Sequence, residues 1–173
     1  QDKLNLSLNN LRSSGEKLKK ELEKSDQNIE EKIIDTIEDL SLLQPLLDDL
    51  NHFQDLYLLQ ESIVKKIESY RNKETLTKED ILALRDLSEL EQNMALELKS
   101  IMENLEKNAG PAEKDFPKSA KSAREFAQKM KNLELPQLGN IAARNLSIPD
   151  QKLSYNAAEN LRQKMDLLFD EAG

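Results

Sequence analysis

The stretch LTKEDILALRDLSELEQNMALEL, residues 76–98, predicts the beginning of a long helix. Thr77 and Asp80 match a capping box, in which two side chains each accept a hydrogen bond from the other residue's backbone. Apolar residues then recur every three or four positions, which indicates one buried helix face. That face consists of Ile81, Leu84, Leu87, Met94, Leu98, Ile101 and Leu105.

Two proline-containing sequences are expected to break the long helices. In NAGP, Gly110 can adopt a left-handed cap and Pro111 prevents continuation, so a helix over 77–108 is predicted. In SLLQPLL, Pro45 lacks an amide hydrogen and would clash with a preceding carbonyl group. A break there separates a first helix over 3–43 from a second over 46–71.

The composition indicates an all-α protein. Of the 173 residues, 34% are charged and 4% aromatic, with four Gly and five Pro. Such a mixture is typical of helices, because strands are enriched in β-branched and aromatic residues. Cysteine is absent, which excludes disulfides and thiolate metal sites. The net charge of −8 and the lack of a basic, aromatic surface argue against nucleic acid as a partner.

Residues 111–173 change in character and predict three shorter helices. They begin within FPKSAKSAREFAQKMKNL, LPQLGNIAARNL and SIPDQKLSYNAAENLRQKMDLLF, and their apolar faces are rich in alanine. Small side chains allow close approach to a larger helix, so these helices are expected to fold back on residues 1–110 within the same domain. The predicted fold is an elongated antiparallel bundle with coiled-coil-like packing, three long helices followed by three shorter ones.

The first predicted helix carries a heptad seam that the next two helices are too short to cover along its whole length. Either the C-terminal helices cover the remainder, or a second copy or partner protein does. The sequence therefore favours a non-enzymatic structural or protein–protein interaction module. The candidate interaction surface is Leu4, Leu8, Leu11, Leu18 and Leu22.

A basic helix over 117–133 supports an alternative, a peripheral module that binds an anionic membrane surface. Its candidate contacts are Lys118, Lys121, Arg124, Lys129 and Lys131. Attraction between this basic helix and the acidic body of the same protein is the simpler interpretation.

A reactive site is not predicted, so no catalytic, cofactor-binding or metal-ligating residue is assigned and no cofactor is expected. Asp49 and His52 have the spacing of half a di-iron site, but His52 is the single histidine. It is expected at the border of the packing seam that Phe53 and Tyr57 form. A ligand- or metal-binding bundle with buried acids is the second alternative, although the pattern places nearly all acids outside.

Several stretches resemble the helical regions of uncharacterised, membrane-tethered envelope proteins of the planctomycete and verrucomicrobial type. The resemblance covers about residues 40–170 and rests on LQPLLDDLNHFQDLYLLQESIVKKI, LTKEDILALRDLSELEQNMALEL, FPKSAKSAREFAQKM and YNAAENLRQKMDLLF. It implies an extracytoplasmic location and no known catalytic residues. The lack of cysteine fits an envelope protein and a cytosolic protein equally well. The first residue is Gln1 and not methionine, so a signal or anchor segment is expected to have been removed.

Overall fold

The computed structural model describes residues 10, 12–17, 29–148 and 150–170, with side chains at 10, 12–17, 36–148 and 150–169. These ranges contain helices and no strands, which confirms the all-α prediction. Two long helices, α1 (Ile29–Glu68) and α2 (Lys78–Ala112), precede three shorter ones. The shorter helices are α3 (Pro117–Asn132), α4 (Leu135–Leu146) and α5 (Gln151–Asp170). Residues 12–17 are also helical, but most of the predicted helix upstream of residue 29 lies outside the described ranges.

Helix α1 passes through Pro45 without a break, so the predicted separation into two helices at this point is wrong. A proline inside a helix costs about 3 kcal/mol. On either side of it, Leu43, Leu46 and Leu50 are at most 2% exposed. Each fully buried leucine contributes about 1.5–3 kcal/mol, so the packing outweighs the proline.

Helix α2 begins as predicted and ends later. The Asp80 amide donates to Thr77 Oγ1 over 3.1 Å, and the Thr77 amide donates to Asp80 Oδ2 over 3.0 Å, which confirms the capping box. At the other end, the helix includes Gly110 and Pro111, and none of the described glycines has a positive φ. The predicted left-handed cap at Gly110 is therefore wrong. Burial of Ala112 in the core accounts for the extra turn.

The short helices begin at prolines or near them, as the sequence predicts. Pro117 opens α3 and Pro136 lies in the first turn of α4. Between the two helices, Glu134 has φ 54° and ψ 36°, a left-handed conformation. This residue is the single described non-glycine residue with a positive φ, and it redirects the chain between α3 and α4.

By their contacts the packed helices can be grouped into four columns: α1, α2, α3 followed by α4, and α5. Helix α2 packs against α1 on one side and against α3 and α4 on another, and α5 closes the ring between α4 and α1. Two contacts show the relative direction of α1 and α2. Asp49 lies beside Asn104 and Gln60 beside Glu91, so the numbering of α1 and α2 runs in opposite senses.

Aromatic rings and small residues fill the core between these columns. The Phe53 ring meets that of Phe126 edge to face at 5.0 Å and that of Phe169 at 5.8 Å, which joins α1, α3 and α5. Between α2 and α4, Gly139 lies against Ala95 so closely that an added Cβ would be 2.8 Å from the Ala95 Cβ. Contacts of this kind explain why the C-terminal helices carry alanine and glycine on their packing faces.

Six of the seven residues of the predicted buried face of α2 are buried: Leu84, Leu87, Met94, Leu98, Ile101 and Leu105. The seventh, Ile81 in the first turn of the helix, is 54% exposed. None of the helices in the described ranges is long and apolar enough to cross a membrane.

Candidate functional site

Six polar side chains of the described residues are buried, namely Asp49, Gln60, Ser88, Glu91, Ser119 and Ser154. We call four of them the polar layer: Gln60, Ser88, Glu91 and Ser154. Gln60 and Glu91 are fully buried, Ser154 is 1% exposed and Ser88 is 9% exposed. They come from α1, α2 and α5, and their hydrogen bonds reach α4 as well. The layer therefore links all four columns at one level of the bundle.

The centre of the polar layer is the pair formed by Gln60 and Glu91. Gln60 Nε2 donates to Glu91 Oε1 over 2.9 Å and to the carbonyl oxygen of Ala158 over 2.8 Å. Because a carbonyl oxygen can only accept, the Ala158 contact fixes the orientation of the Gln60 amide. The two remaining oxygens, Gln60 Oε1 and Glu91 Oε2, are buried and have no hydrogen-bond partner.

Burial raises the pKa of Glu91 to about 8, and the hydrogen bond from Gln60 opposes the shift. An ionised carboxylate is strongly disfavoured away from water unless a cation accompanies it. Glu91 has no such cation among the described residues, since burial and Gln60 are the two causes of its shift. At neutral pH it is therefore predominantly a carboxylic acid.

The two serines extend the layer to α4. Ser88 Oγ donates to the carbonyl oxygen of Ala143 over 2.8 Å, and Ser154 Oγ contacts the carbonyl oxygen of Asn145, also at 2.8 Å. Both carbonyl groups belong to the last turn of α4, and that of Asn145 also accepts from the Ile148 amide. The serines thus add hydrogen bonds to the end of a short helix from within the core.

Within the described ranges, no group of three or more histidine, aspartate or glutamate side chains comes together to hold an ion. An open groove lies elsewhere, between α2 and α3, with a volume of about 440 Å³. Its lining is Glu106, Arg124, Glu125 and Gln128.

A second feature is the outward side of α1, which we call the acidic outer face: Ile37, Leu40, Asp48, Asp55 and Leu58. At 3.6 residues per turn these positions fall within about 80° of the helix circumference. All five are exposed, and the three apolar residues expose 60%, 41% and 54% of their surface. The face extends for roughly 32 Å at 1.5 Å per residue.

The sequence of this part of α1 is rich in acidic residues. From residue 33 to residue 64 the chain has no lysine or arginine but seven acidic residues. They are Asp35, Glu38, Asp39, Asp48, Asp49, Asp55 and Glu61. Such a surface attracts cationic partners and repels anionic ones.

The structure describes one of the two predicted sets of contact residues and not the other. The leucines of the heptad seam, Leu4, Leu8, Leu11, Leu18 and Leu22, lie outside the described residues. The five basic residues of α3 are described, and Arg124 forms a two-pronged ion pair with Glu113, both contacts 2.8 Å long. Lys121 lies 3.7 Å from Glu125, and Lys129 also has an interaction partner. Lys118 and Lys131 form no ion pair with any described residue.

His52 lies at the surface, with its Nε2 atom 2.5 Å from Glu97 Oε2 on α2. Both side chains are 45% exposed. Its predicted neighbour Asp49 turns inward to Asn104 Nδ2 at 3.3 Å and does not join a site with the imidazole. The position agrees with the expected border of the seam, beside the buried Phe53.

Sequence reasoning missed the polar layer, although a signal for it is present. On α2 the apolar positions step from Leu87 directly to Met94, and Glu91 occupies the position between them that should be apolar. Gln60 interrupts the apolar face of α1 in the same way, between Phe53 and Val64. A polar residue at a core position in two successive helices is a sign of a buried pair.

Comparison of the chain with models of protein families, with curated proteins and with solved structures found no match.

Proposed function

We propose that the protein is a non-enzymatic interaction module that binds a partner by helix-on-helix packing, with the acidic outer face of α1 as its contact surface. The observation that supports this most is the combination of exposed Ile37, Leu40 and Leu58 with carboxylates on one helix side. Helices that dock in this way present apolar anchors along one stripe.

The charge selects the kind of partner. Asp48 and Asp55 lie on the face, and no lysine or arginine occurs between residues 33 and 64. A partner helix with lysine or arginine beside its own apolar stripe would be attracted to this surface. A second copy that used the same face would place carboxylates against carboxylates, so the proposed occupant is a basic amphipathic helix from another protein.

A direct test uses a designed amphipathic peptide with leucine at the seam positions and lysine at the flanks, and a matched peptide with glutamate in place of lysine. Binding to the full chain is measured by fluorescence anisotropy at low and high salt. The lysine peptide is expected to bind at low salt and to weaken as salt rises, because exposed charges are screened. The glutamate peptide is expected not to bind.

Paired variants locate the surface. Replacing both Ile37 and Leu58 by serine is expected to weaken binding of the lysine peptide by more than tenfold. Replacing Leu82 and Leu96, which are similarly exposed on α2, is the matched control and should leave binding unchanged. Equal losses of peptide binding in the two double variants would contradict the proposal. So would light scattering that shows a dimer of the full chain and a monomer of the Ile37 and Leu58 double variant.

The anionic-lipid alternative rests on the basic residues of α3. It is supported less well, because Arg124 and Lys121 already pair with acidic residues of the same protein. Flotation with anionic vesicles at low salt separates the two functions, since binding there is expected only if the α3 face is the active one.

A further inference from the structure

If the carboxyl group of Glu91 is ionised, two oxygen atoms of the Gln60–Glu91 pair can only accept hydrogen bonds, and no donor is left for either of them. Gln60 uses both of its amide hydrogens, one for Glu91 Oε1 and one for the Ala158 carbonyl group. Gln60 Oε1 and Glu91 Oε2 are then left, buried and without partners. A proton on Glu91 Oε2 turns one of the two acceptors into a donor.

We propose that Glu91 and Gln60 form a proton-dependent latch between α1, α2 and α5, which is closed when Glu91 carries a proton and weakened when Glu91 ionises. In the closed form the acid and the amide pair through two hydrogen bonds, with Glu91 Oε2 donating to Gln60 Oε1. The same amide holds Ala158 of α5, so the state of Glu91 is transmitted to α5 through Gln60.

No charged group replaces the proton in this role. The helices around Glu91 carry Glu61 on α1, Arg144 on α4 and Glu159 on α5. Glu61 accepts from Tyr57, Glu159 pairs with Arg162, and Arg144 is exposed. On α2 itself, the residues one turn away are Leu87, Ser88, Met94 and Ala95, which are uncharged.

The direction of the effect follows from the two protonation states. An exposed glutamate ionises near its ordinary pKa of 4.5, whereas burial raises the pKa of Glu91 to about 8 in the folded protein. The latch is therefore strongest below pH 4.5 and weakens as pH rises to about 8. Above that value Glu91 is ionised in both the open and the closed form, so the strength of the latch is not expected to change further.

Amide hydrogen exchange of α5, measured on the full chain from pH 5 to 9 and corrected for the intrinsic rate, tests the latch. In the native protein the opening constant of α5 is expected to rise by up to about tenfold per pH unit between pH 5 and 8. Glu91→Gln keeps the shape and supplies a permanent donor, so its α5 protection should not change with pH. Glu89→Gln, an exposed glutamate on the same helix, should behave like the native protein.

A second measurement observes the proton itself. In protein with ¹³C-labelled glutamate side chains, one carboxyl carbon is expected to titrate near pH 8, and its signal should be missing from Glu91→Gln. The latch is ruled out if this carbon titrates near pH 4.5. Equal pH dependence of α5 exchange in the native protein and in Glu91→Gln rules it out as well.

Discussion

Gly139 sets the distance between α4 and α2 at the scale of a single residue. Its backbone lies against Ala95, and a Cβ there would be 2.8 Å from the Ala95 Cβ and 3.2 Å from its Cα. The second of these is a backbone atom and cannot move aside without shifting α2. A methyl group at this position would therefore force the two helices apart.

Gly139→Ala is expected to lower the free energy of unfolding by about 1–3 kcal/mol, the usual cost of overpacking. Gly110→Ala is the matched control, because Gly110 is also helical and has no atom within 4 Å of an added Cβ. That change should raise stability by roughly 0.5–1 kcal/mol through helix propensity. Urea unfolding measures both, and equal effects of the two substitutions would contradict the close approach.

Glu134→Gly is expected to stabilise the protein by about 1 kcal/mol, because Glu134 has a positive φ that glycine adopts without steric cost. Its side chain is exposed, so little packing is lost. Glu134→Ala, which keeps the steric cost, serves as the control in the same urea measurements. If both variants have the stability of the native protein, the left-handed junction is not strained.

At the scale of elements, the sequence predicts helix faces well and helix ends less well. The capping box at Thr77 and Asp80 acts within four residues, so it can be recognised locally. The continuity of α1 through Pro45 depends on leucines that pack against other columns, and such distant contacts are not visible in a local pattern. The sequence pattern shows Gln60 and Glu91 as polar residues at core positions, but it does not show that they meet, since they are 31 positions apart.

Pro45→Ala tests the continuous α1. Alanine restores an amide donor and removes the steric clash in a helix interior, so stability is expected to rise by about 1–3 kcal/mol. If the chain breaks at Pro45, as the local sequence suggests, alanine would bring little gain or a loss. Thermal unfolding monitored by circular dichroism distinguishes the two results.

At the scale of the whole molecule, the contributions of Glu91 and Glu159 to stability change in opposite directions with pH. Burial raises the pKa of Glu91 to about 8, so stability falls as pH rises from 4.5 to that value. Hydrogen bonds from Arg162 lower the pKa of Glu159, so the stability it provides is present above pH 4.5 and is lost as pH falls further. Maximum stability is therefore expected near about pH 5.

The urea midpoint, measured from pH 4 to 9, should fall on the alkaline side by an amount equivalent to roughly 2–5 kcal/mol. Glu91→Gln is expected to remove that decline and to leave the acid side unchanged. A native protein of constant stability between pH 5 and 8 would show that Glu91 is not held neutral in the core.

The helix α2 packs against α1, α3 and α4, and this central position bears on the order in which the helices form during folding. Helices of 16 and 12 residues, such as α3 and α4, do not persist alone in water. They gain order only on a surface that is already present, and α2 supplies it. The folding nucleus is thus expected around α2 and its sequence neighbours, and the C-terminal helix should join after the transition state has been crossed.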